Sequence, residues 1–266
     1  MLDGTALPVL GLGTYSYGGG SSADYSRDEE DVATMRRLIA MGYTHLDTAE
    51  SYGRGHSEDL VGQAIKAFPR ESVFVTTKVA PEHFHTQDVI RAAEDSLRRL
   101  DINSIDLYLL HWPNPKIPLA DTYKAMNELL ADGRIKRVGV SNFSVAQMEE
   151  SIRLCDGPIV TNQVHYNLLK REPRHNGVLA FCRREGIILT AYSPIKDGVL
   201  NNNIVKSIAV RQDVTPAQVA IQWLLRQPMV VTIPKTSDIE HAKDNLAALD
   251  LTLTETEIAE LDALVR

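Results

Sequence analysis

Apolar and polar positions along the chain follow two periods in turn, and this alternation predicts eight strands that are each followed by a helix. Short runs rich in large and β-branched apolar residues have the length of buried strands. Between them, apolar residues recur three and four positions apart, which is the spacing of an amphipathic helix. The predicted strands cover residues 7–13, 43–47, 73–78, 105–111, 137–141, 159–163, 187–192 and 230–234.

Capping sequences mark the starts of several of the intervening helices. In a capping box, a serine or threonine and a glutamate or glutamine three residues later each bond the other residue's backbone N–H. Such pairs begin at Ser26, Ser144, Ser237 and Thr254, and Thr215 supplies a cap that is followed by proline. Four further helices are predicted at about 57–67, 88–100, 119–131 and 174–185.

Eight strands that alternate with helices predict an α/β fold, the (β/α)8 TIM barrel. Parallel strands need helical crossovers, and eight strands close a barrel with a filled interior. The 266 residues suit one such barrel and contain no linker, so residues 1–266 are predicted to form a single domain. Asp3-Gly4 predicts a short hairpin at about 1–8. An open doubly wound sheet is the alternative, but its G-x-G-x-x-G turn is not present after the first strand.

Charge and composition exclude several functional classes. A net charge of −7 and a pI near 5.6 give no basic face for nucleic acid, and no apolar run is long enough to span a membrane. The first cation is Arg27, so no signal peptide is expected, and Cys155 and Cys182 suit a reducing cytoplasm. His83 and His85 lack further metal ligands, so no metal site is predicted. No interface stripe appears, which favours a monomer.

Titratable side chains stand where three successive strands stop. Asp47, Lys78 and His111 each end a predicted strand, and Tyr52 follows Asp47 by five residues. Strand ends of a barrel meet at one rim, which is where its active site lies. A lysine beside an aspartate keeps its charge and would lower the pKa of a nearby phenol, so Tyr52 could protonate a carbonyl oxygen while His111 bonds the same atom. No electron source is present, so a hydride donor must be bound.

At these residues the chain resembles the aldo-keto reductase superfamily, in particular microbial members with a short C-terminus. The resemblance implies NAD(P)H-dependent reduction of aldehydes and ketones to alcohols. It makes Tyr52 the proton donor, Lys78 and Asp47 its activating pair, and His111 the group that orients the substrate. The motifs that carry it are Asp47-Thr48-Ala49-x-x-Tyr52-Gly53, Lys78, Leu110-His111-Trp112-Pro113, Val138-Gly139-Val140-Ser141-Asn142-Phe143, Gln163, Tyr192-Ser193-Pro194 and Ile233-Pro234-Lys235.

The resemblance also implies a set of residues that bind the nucleotide. Ser141, Asn142 and Gln163 would hydrogen-bond the carboxamide of the nicotinamide, and Tyr192 would stack on its ring. The other nucleotide-binding positions that it implies are Thr14, Tyr15, Ser193, Ile195, Pro234, Lys235, Thr236, Ser237, His241 and Asn245. Tyr15, Trp112 and Phe84 are expected to form an apolar wall for a small-molecule carbonyl substrate.

Two positions differ from the usual family pattern. NADP-preferring members place an arginine six residues after the lysine of the Ile-Pro-Lys motif, and here that position is His241. A mostly neutral imidazole replaces a permanent cation, so the preference for NADPH should be weaker, although Lys235 still favours NADPH over NADH. The chain also stops soon after its last helix, at Arg266, so a more open substrate pocket is expected.

Purely structural roles for these residues, and two other functions, are the alternatives to this hypothesis. His111 could simply end a strand at a Trp-Pro corner, and Tyr192 could be an ordinary core tyrosine. Lys78 at a barrel strand end also allows a Schiff-base aldolase, although a neighbouring Asp47 disfavours the neutral amine which that chemistry needs. A non-catalytic, nucleotide-binding regulatory subunit on the same barrel is the third possibility, and it would have no need of the complete set of four catalytic residues.

Overall fold

The structure, a computed structural model, describes residues 7–264 and shows a (β/α)8 barrel, as predicted. All eight strands are parallel and pair in chain order from β1 to β8. The hairpin predicted at about 1–8 lies outside the described residues, apart from its last two. The strands are β1 (Leu12–Gly13), β2 (His45–Asp47), β3 (Phe74–Val79), β4 (Leu107–Leu110), β5 (Val138–Ser141), β6 (Ile159–His165), β7 (Ile188–Tyr192) and β8 (Val230–Thr232).

The first and last strands meet and close the barrel. Leu10 forms a parallel bridge with Thr232, and Gly11 N–H donates to the Thr232 carbonyl at 2.9 Å. A Cβ added to Gly13 would lie 2.8 Å from the carbonyl oxygen of Ile233, which is closer than side chains tolerate. Glycine at this position therefore allows the two strand ends to approach.

Helices surround the barrel and follow the predicted order with two additions. The segment predicted as one helix at 174–185 is two helices, separated by Gly177 with φ +84°. The connection after β7 contains a helix that was not predicted, α8. The helices are α1 (Asp28–Ala40), α2 (His56–Ile65), α3 (Thr86–Leu100), α4 (Leu119–Ala131), α5 (Val145–Leu154), α6 (Glu172–His175), α7 (Val178–Glu185), α8 (Asn203–Gln212), α9 (Pro216–Leu225), α10 (Ile239–Ala247) and α11 (Glu255–Asp262).

The capping predictions are confirmed in part. Ser144, Thr215 and Thr254 form complete capping boxes at the starts of α5, α9 and α11. The boxes predicted at Ser26 and Ser237 are wrong. At the first helix Ser26 bonds Asp24, and at the second the cap is Asp238. The Ser26 hydroxyl donates to Asp24 at 2.6 Å instead of capping α1. The cap of α10 is the next residue, Asp238, whose carboxylate accepts the N–H groups of the second and third helical residues.

Alternate residues of each strand point into the barrel. Near the C-terminal ends of the strands, these inward-facing residues are polar. His45 lies below Asp47 on β2, and Thr76 lies below Lys78 on β3. His45 Nε2 is 2.9 Å from the Thr76 hydroxyl, so polar contacts continue in the barrel interior beneath the rim. Within residues 7–264, no helix is both long enough and apolar enough to cross a membrane.

Candidate active site

A cavity of about 920 Å³ opens at the rim formed by the C-terminal ends of the strands. Side chains from the ends of most of the strands converge there, as expected of this fold. The lining residues that the sequence reasoning missed include Ser51 and Lys196. The predicted site residues that line the cavity are Thr14, Tyr15, Asp47, Tyr52, His111, Trp112, Ser141, Asn142, Gln163, Tyr192, Ser193, Ile195 and Lys235.

A buried ion pair lies at the floor of this cavity. Lys78 Nζ is 2.6 Å from Asp47 Oδ1, and their side chains are 0% and 2% exposed. Lys78 also donates to the Thr48 carbonyl at 2.7 Å, while Gln163 Nε2 donates to Asp47 Oδ2 at 2.7 Å. Because both charges are paired and hydrogen-bonded, the structure can hold them out of water.

Lys78 carries its charge in spite of being buried. Burial by itself lowers the pKa of the ammonium, but the charge of Asp47 and the contact with Tyr52 together outweigh it, and the net direction is upward. A Schiff-base lysine must instead be neutral before it attacks a carbonyl. The geometry therefore disfavours the aldolase hypothesis.

Tyr52 lies directly above this pair. Lys78 Nζ is 5.1 Å from the centre of the phenol ring. The expectation that the pKa of Tyr52 falls below its ordinary value is wrong, because burial raises that pKa by more than the Lys78 ammonium lowers it. A phenol with a raised pKa remains protonated at neutral pH, so Tyr52 holds the proton that a general acid must donate.

His111 completes the group and packs against the Tyr52 ring. Its ring centre is 5.8 Å from that of Tyr52, and its Nδ1 is 3.4 Å from the Ser51 hydroxyl. Burial, with a smaller contribution from the charge of Lys78, lowers the pKa of His111 to about 3. The imidazole is therefore neutral at physiological pH and has one N–H, which can donate to a substrate oxygen.

The neutral state of His111 has a measurable effect on stability. In the unfolded chain a histidine takes up a proton below about pH 6.5, whereas in the folded protein His111 stays neutral down to about pH 3. Lowering the pH from 7 to 5 should thus cost wild type on the order of 2 kcal/mol more than it costs His111→Gln. Denaturant unfolding at the two pH values measures this. His175→Gln, at an exposed histidine, is the control, and equal losses in wild type and His111→Gln would contradict the prediction.

The wall beside the ion pair carries a connected set of polar groups. Ser141 Oγ donates to the backbone carbonyl of Gln163 at 2.9 Å, and Asn142 Nδ2 donates to Ser141 Oγ at 2.9 Å. The Tyr192 hydroxyl donates to Asn142 Oδ1 at 3.0 Å, and burial raises the pKa of this tyrosine to about 12. Asn142 has φ +62°, which turns its side chain toward its neighbours at the strand end. These groups hold one another in fixed orientations.

Two lysines line the cavity. Lys235 Nζ lies 5.0 Å from the ring centre of Tyr17 and 3.3 Å from the Ser237 hydroxyl, and burial lowers its pKa. Tyr17 itself is anchored, because its hydroxyl donates to the Thr236 carbonyl at 2.5 Å. Lys196 Nζ lies 5.9 Å from the ring centre of Tyr15, which packs on Tyr52. These two cations suit an anionic ligand.

Some predicted site residues lie outside the cavity lining. Phe84 is fully buried in the hydrophobic core, where its carbonyl accepts from the Thr122 hydroxyl, so its assignment to the substrate wall is wrong. The reason is that the turn after β3 folds inward, against α4. His241 is exposed on α10, and Asn245 is buried on the same helix. Lys78 also lies outside the lining, because it is buried beneath Tyr52. Those that are close in sequence to the rim residues without lining the cavity are Pro234, Thr236 and Ser237.

No group of three histidine, cysteine, aspartate or glutamate side chains within residues 7–264 is arranged to hold a metal ion. The chemistry that the described site offers is therefore proton donation and oxyanion stabilisation beside a pocket for a bound ligand. A barrel with such a site at the C-terminal ends of its strands has the form of an enzyme.

Comparison with known proteins agrees with this class. Residues 9–266 match the sequence model of the Aldo/keto reductase family. The chain is 38% identical to methylglyoxal reductase YeaE from Escherichia coli (strain K12), over 97% of this chain and 90% of that protein. The protein belongs to the aldo/keto reductase family.

Solved structures show the same relationship. The thermostable aldo-keto reductase Tm1743, in complex with the inhibitor epalrestat, superposes with a TM-score of 0.94 at 45% identity, covering 98% of this chain and 96% of the other. An aldo/keto reductase from Klebsiella pneumoniae, in complex with NADP and acetate, gives 0.90 at 38% identity, with coverages of 98% and 92%.

Proposed function

We propose that this protein reduces aldehydes and ketones to alcohols with hydride from a nicotinamide nucleotide, and that Tyr52 donates the proton. The observation that carries the proposal is the buried, charged Lys78–Asp47 pair beneath Tyr52. In a cavity also reached by His111, this pair places a protonated phenol and a neutral imidazole where negative charge grows on a carbonyl oxygen. A regulatory subunit would have no use for that arrangement.

The residues present fit a nicotinamide nucleotide. Ser141, Asn142 and Gln163 form a polar wall next to the flat ring of Tyr192, and Lys196 and Lys235 line the same cavity. An aromatic face, amide partners and separated cations match the nicotinamide, its carboxamide and the phosphates of such a molecule. When bound, the nucleotide supplies the hydride. The Klebsiella pneumoniae relative was crystallised with NADP, which together with Lys235 favours NADPH over NADH here.

In the proposed mechanism each residue of the chain has one task. His111 donates a hydrogen bond to the carbonyl oxygen and orients the substrate. Tyr52 transfers its phenolic proton to that oxygen as negative charge develops on it. Lys78, held by Asp47 and the Thr48 carbonyl, stabilises the phenolate that remains. The buried pair also keeps water from replacing these interactions.

The proposed substrates are reactive aldehydes and α-dicarbonyls. Tyr15 and Trp112 stand half-exposed on the cavity wall and supply aromatic surface for a small carbonyl compound. The Escherichia coli relative is named as a methylglyoxal reductase, which is the same chemical class. We further propose that the protein has no nucleic-acid partner, on the basis of the net charge of −7. The two cysteines favour the reducing cytoplasm, and the sequence pattern favours a monomer.

The deciding test is the initial rate of cofactor oxidation with an aromatic aldehyde and with methylglyoxal, run with NADPH and NADH in parallel. Oxidation that needs the carbonyl compound would support the reductase. Tight nucleotide binding without any oxidation would instead favour the regulatory subunit.

His241 should limit the preference for NADPH. This residue is exposed near the start of α10, after Lys235 and Ser237, where an arginine could meet the 2′-phosphate as a permanent cation. His241→Arg should tighten NADPH binding about tenfold, since one charge-assisted hydrogen bond contributes about 1.5–3 kcal/mol. NADH binding should change by less than about twofold, because it has no 2′-phosphate.

Calorimetric titration with both nucleotides measures this difference. His175→Arg adds the same charge at an exposed site on α6 and should alter neither affinity. Equal gains for NADPH and NADH in His241→Arg would show that residue 241 does not face the 2′-phosphate.

A further inference from the structure

Two polar side chains that the catalytic chemistry does not use lie behind the ring of Tyr192. The imidazole of His165 stacks on that ring, with centres 5.2 Å apart and planes inclined by 25°. On its other side, His165 Nε2 is 2.8 Å from Asp197 Oδ2. Tyr192 ends β7 and Asp197 follows it by five residues. The pair therefore ties the strand end to the loop that leaves it.

That loop forms part of the cavity wall and has a constrained backbone. Residues 193–196 line the cavity, and Lys196 reaches toward Tyr15 on the opposite side of the opening. Ser193 and Asp197, at the two ends of this stretch, have φ of +55° and +61°. Residues other than glycine are strained in this region, so contacts elsewhere must hold the loop in place.

Asn167 supplies the anchor for these contacts. Its Nδ2 donates to Asp197 Oδ2 at 2.8 Å and to the Ser193 carbonyl at 2.9 Å, so it is hydrogen-bonded to both ends of the loop. Its Oδ1 accepts the N–H groups of Leu169 and Lys170, each at 2.8 Å, and the residue is fully buried. Asn167 is thus fixed by its own turn and offers a rigid point of attachment.

Asp197 is ionised in this setting. Burial raises the pKa of its carboxyl, but the hydrogen bond from Asn167 and the charge of His165 act in the opposite direction, and the net effect is a lowered pKa. The side chains of His165 and Asp197 are 32% and 25% exposed. They form no part of the cavity lining described above, although Lys196, which precedes Asp197, does.

We propose that Asp197, acting through His165 and Asn167, is a positioning residue that makes Tyr192 and residues 193–196 one preformed wall for the nicotinamide nucleotide. This inference rests on the proposed function. The Tyr192 ring is held at its hydroxyl by Asn142 and on its rear face by His165, which leaves its front face for the ligand. The Asp197 carboxylate extends the same support to Lys196.

The expected consequence concerns nucleotide affinity. If the wall is already ordered in the free protein, the free energy of binding does not include the cost of ordering it. That cost is about 0.5–1.5 kcal/mol for each immobilised side chain. Without Asp197 the loop relaxes from its strained backbone, and binding must restore it. The proton donor and the ion pair beneath it are untouched, so the chemical step should be preserved.

The test compares Asp197→Ala with Asp213→Ala. Both aspartates have positive φ, +61° and +53°, so alanine meets the same backbone strain at each, but Asp213 lies at the end of α8. Calorimetry should show NADPH binding weakened about tenfold in Asp197→Ala and unchanged in Asp213→Ala. The KM for NADPH should rise by a similar factor, with kcat changed by less than about twofold.

His165→Phe provides an independent variant that keeps the stacked ring and loses the hydrogen bond to Asp197, together with a 3.5 Å contact between His165 Nε2 and Asn167 Nδ2. It should weaken NADPH binding by less than Asp197→Ala does, because Asp197 still accepts from Asn167, and the double variant should bind no more weakly than Asp197→Ala, since both lack the contact between His165 and Asp197. Additive losses, or unchanged affinity in Asp197→Ala, would overturn the inference. Wild-type protein that bound no nucleotide would instead refute the proposed function. Thermal unfolding of each apo variant shows whether it has folded.

Discussion

Replacing Tyr52 by phenylalanine should lower kcat for carbonyl reduction by about 10²–10⁴-fold, which is the usual contribution of a positioned general acid. The ring still packs against Tyr15 and His111, whose ring centres are 5.2 Å and 5.8 Å away, so the cavity keeps its shape. NADPH affinity should therefore stay within about twofold of wild type. Steady-state rates with an aromatic aldehyde, together with calorimetric titration, separate the two quantities.

Tyr25→Phe is the matched control for this experiment. Tyr25 is also a tyrosine of the segments near the opening, but it is well exposed, stacks on His56 and does not line the cavity. Its variant should have wild-type rates. If Tyr52→Phe retained turnover within about fivefold of wild type, another group would have to supply the proton, and the assignment of Tyr52 would fail.

Replacing Lys78 by methionine should abolish activity and also destabilise the fold. The change leaves Asp47 ionised and buried, with the Gln163 amide as its remaining side-chain partner of those described above. Removing one member of a buried pair costs about 3–5 kcal/mol, because the other charge is then uncompensated. Urea unfolding measures this loss, and rate measurements under native conditions report on the chemistry.

The double variant Lys78→Met with Asp47→Asn separates stability from catalysis. Asparagine has nearly the same shape as aspartate but no charge, so most of the lost stability should return. Activity should not return, because no cation is left to stabilise the Tyr52 phenolate. Recovery of turnover along with stability would show that the pair serves only the fold.

The residues at the strand ends were predictable because the geometry of parallel strands leaves little freedom. Once eight strands were recognised, Asp47, Lys78 and His111 had to meet at one rim. The 2.6 Å contact between Lys78 and Asp47, and the cavity that Asp47 and His111 both line, agree with that reasoning. The roles of these residues in turnover remain predictions, which the variants above test.

Loops and degrees of burial were harder to predict, for physical reasons. Phe84 was assigned to the pocket wall, but the turn that carries it folds into the core, and no local pattern specifies that direction. The sign of the Tyr52 pKa shift depends on whether burial or the nearby charge is larger, and burial is a property of the whole fold. His165 was overlooked because its partners, Tyr192 and Asp197, are distant in sequence, although its place two residues after Gln163 put it on the same face of the strand.

The hydrogen bond between Gln163 and Asp47 determines which ligands the site can distinguish. A carboxylate only accepts hydrogen bonds, so the Gln163 amide must point its NH₂ group at Asp47. The side-chain oxygen of Gln163, Oε1, is then the atom available to the nucleotide, and this acceptor needs an N–H partner. The carboxamide of nicotinamide offers one, whereas nicotinic acid would bring a carboxylate against the acceptor oxygen of Gln163. By orienting the Gln163 amide, the charge of Asp47 would thereby make the protein reject deamidated nucleotides.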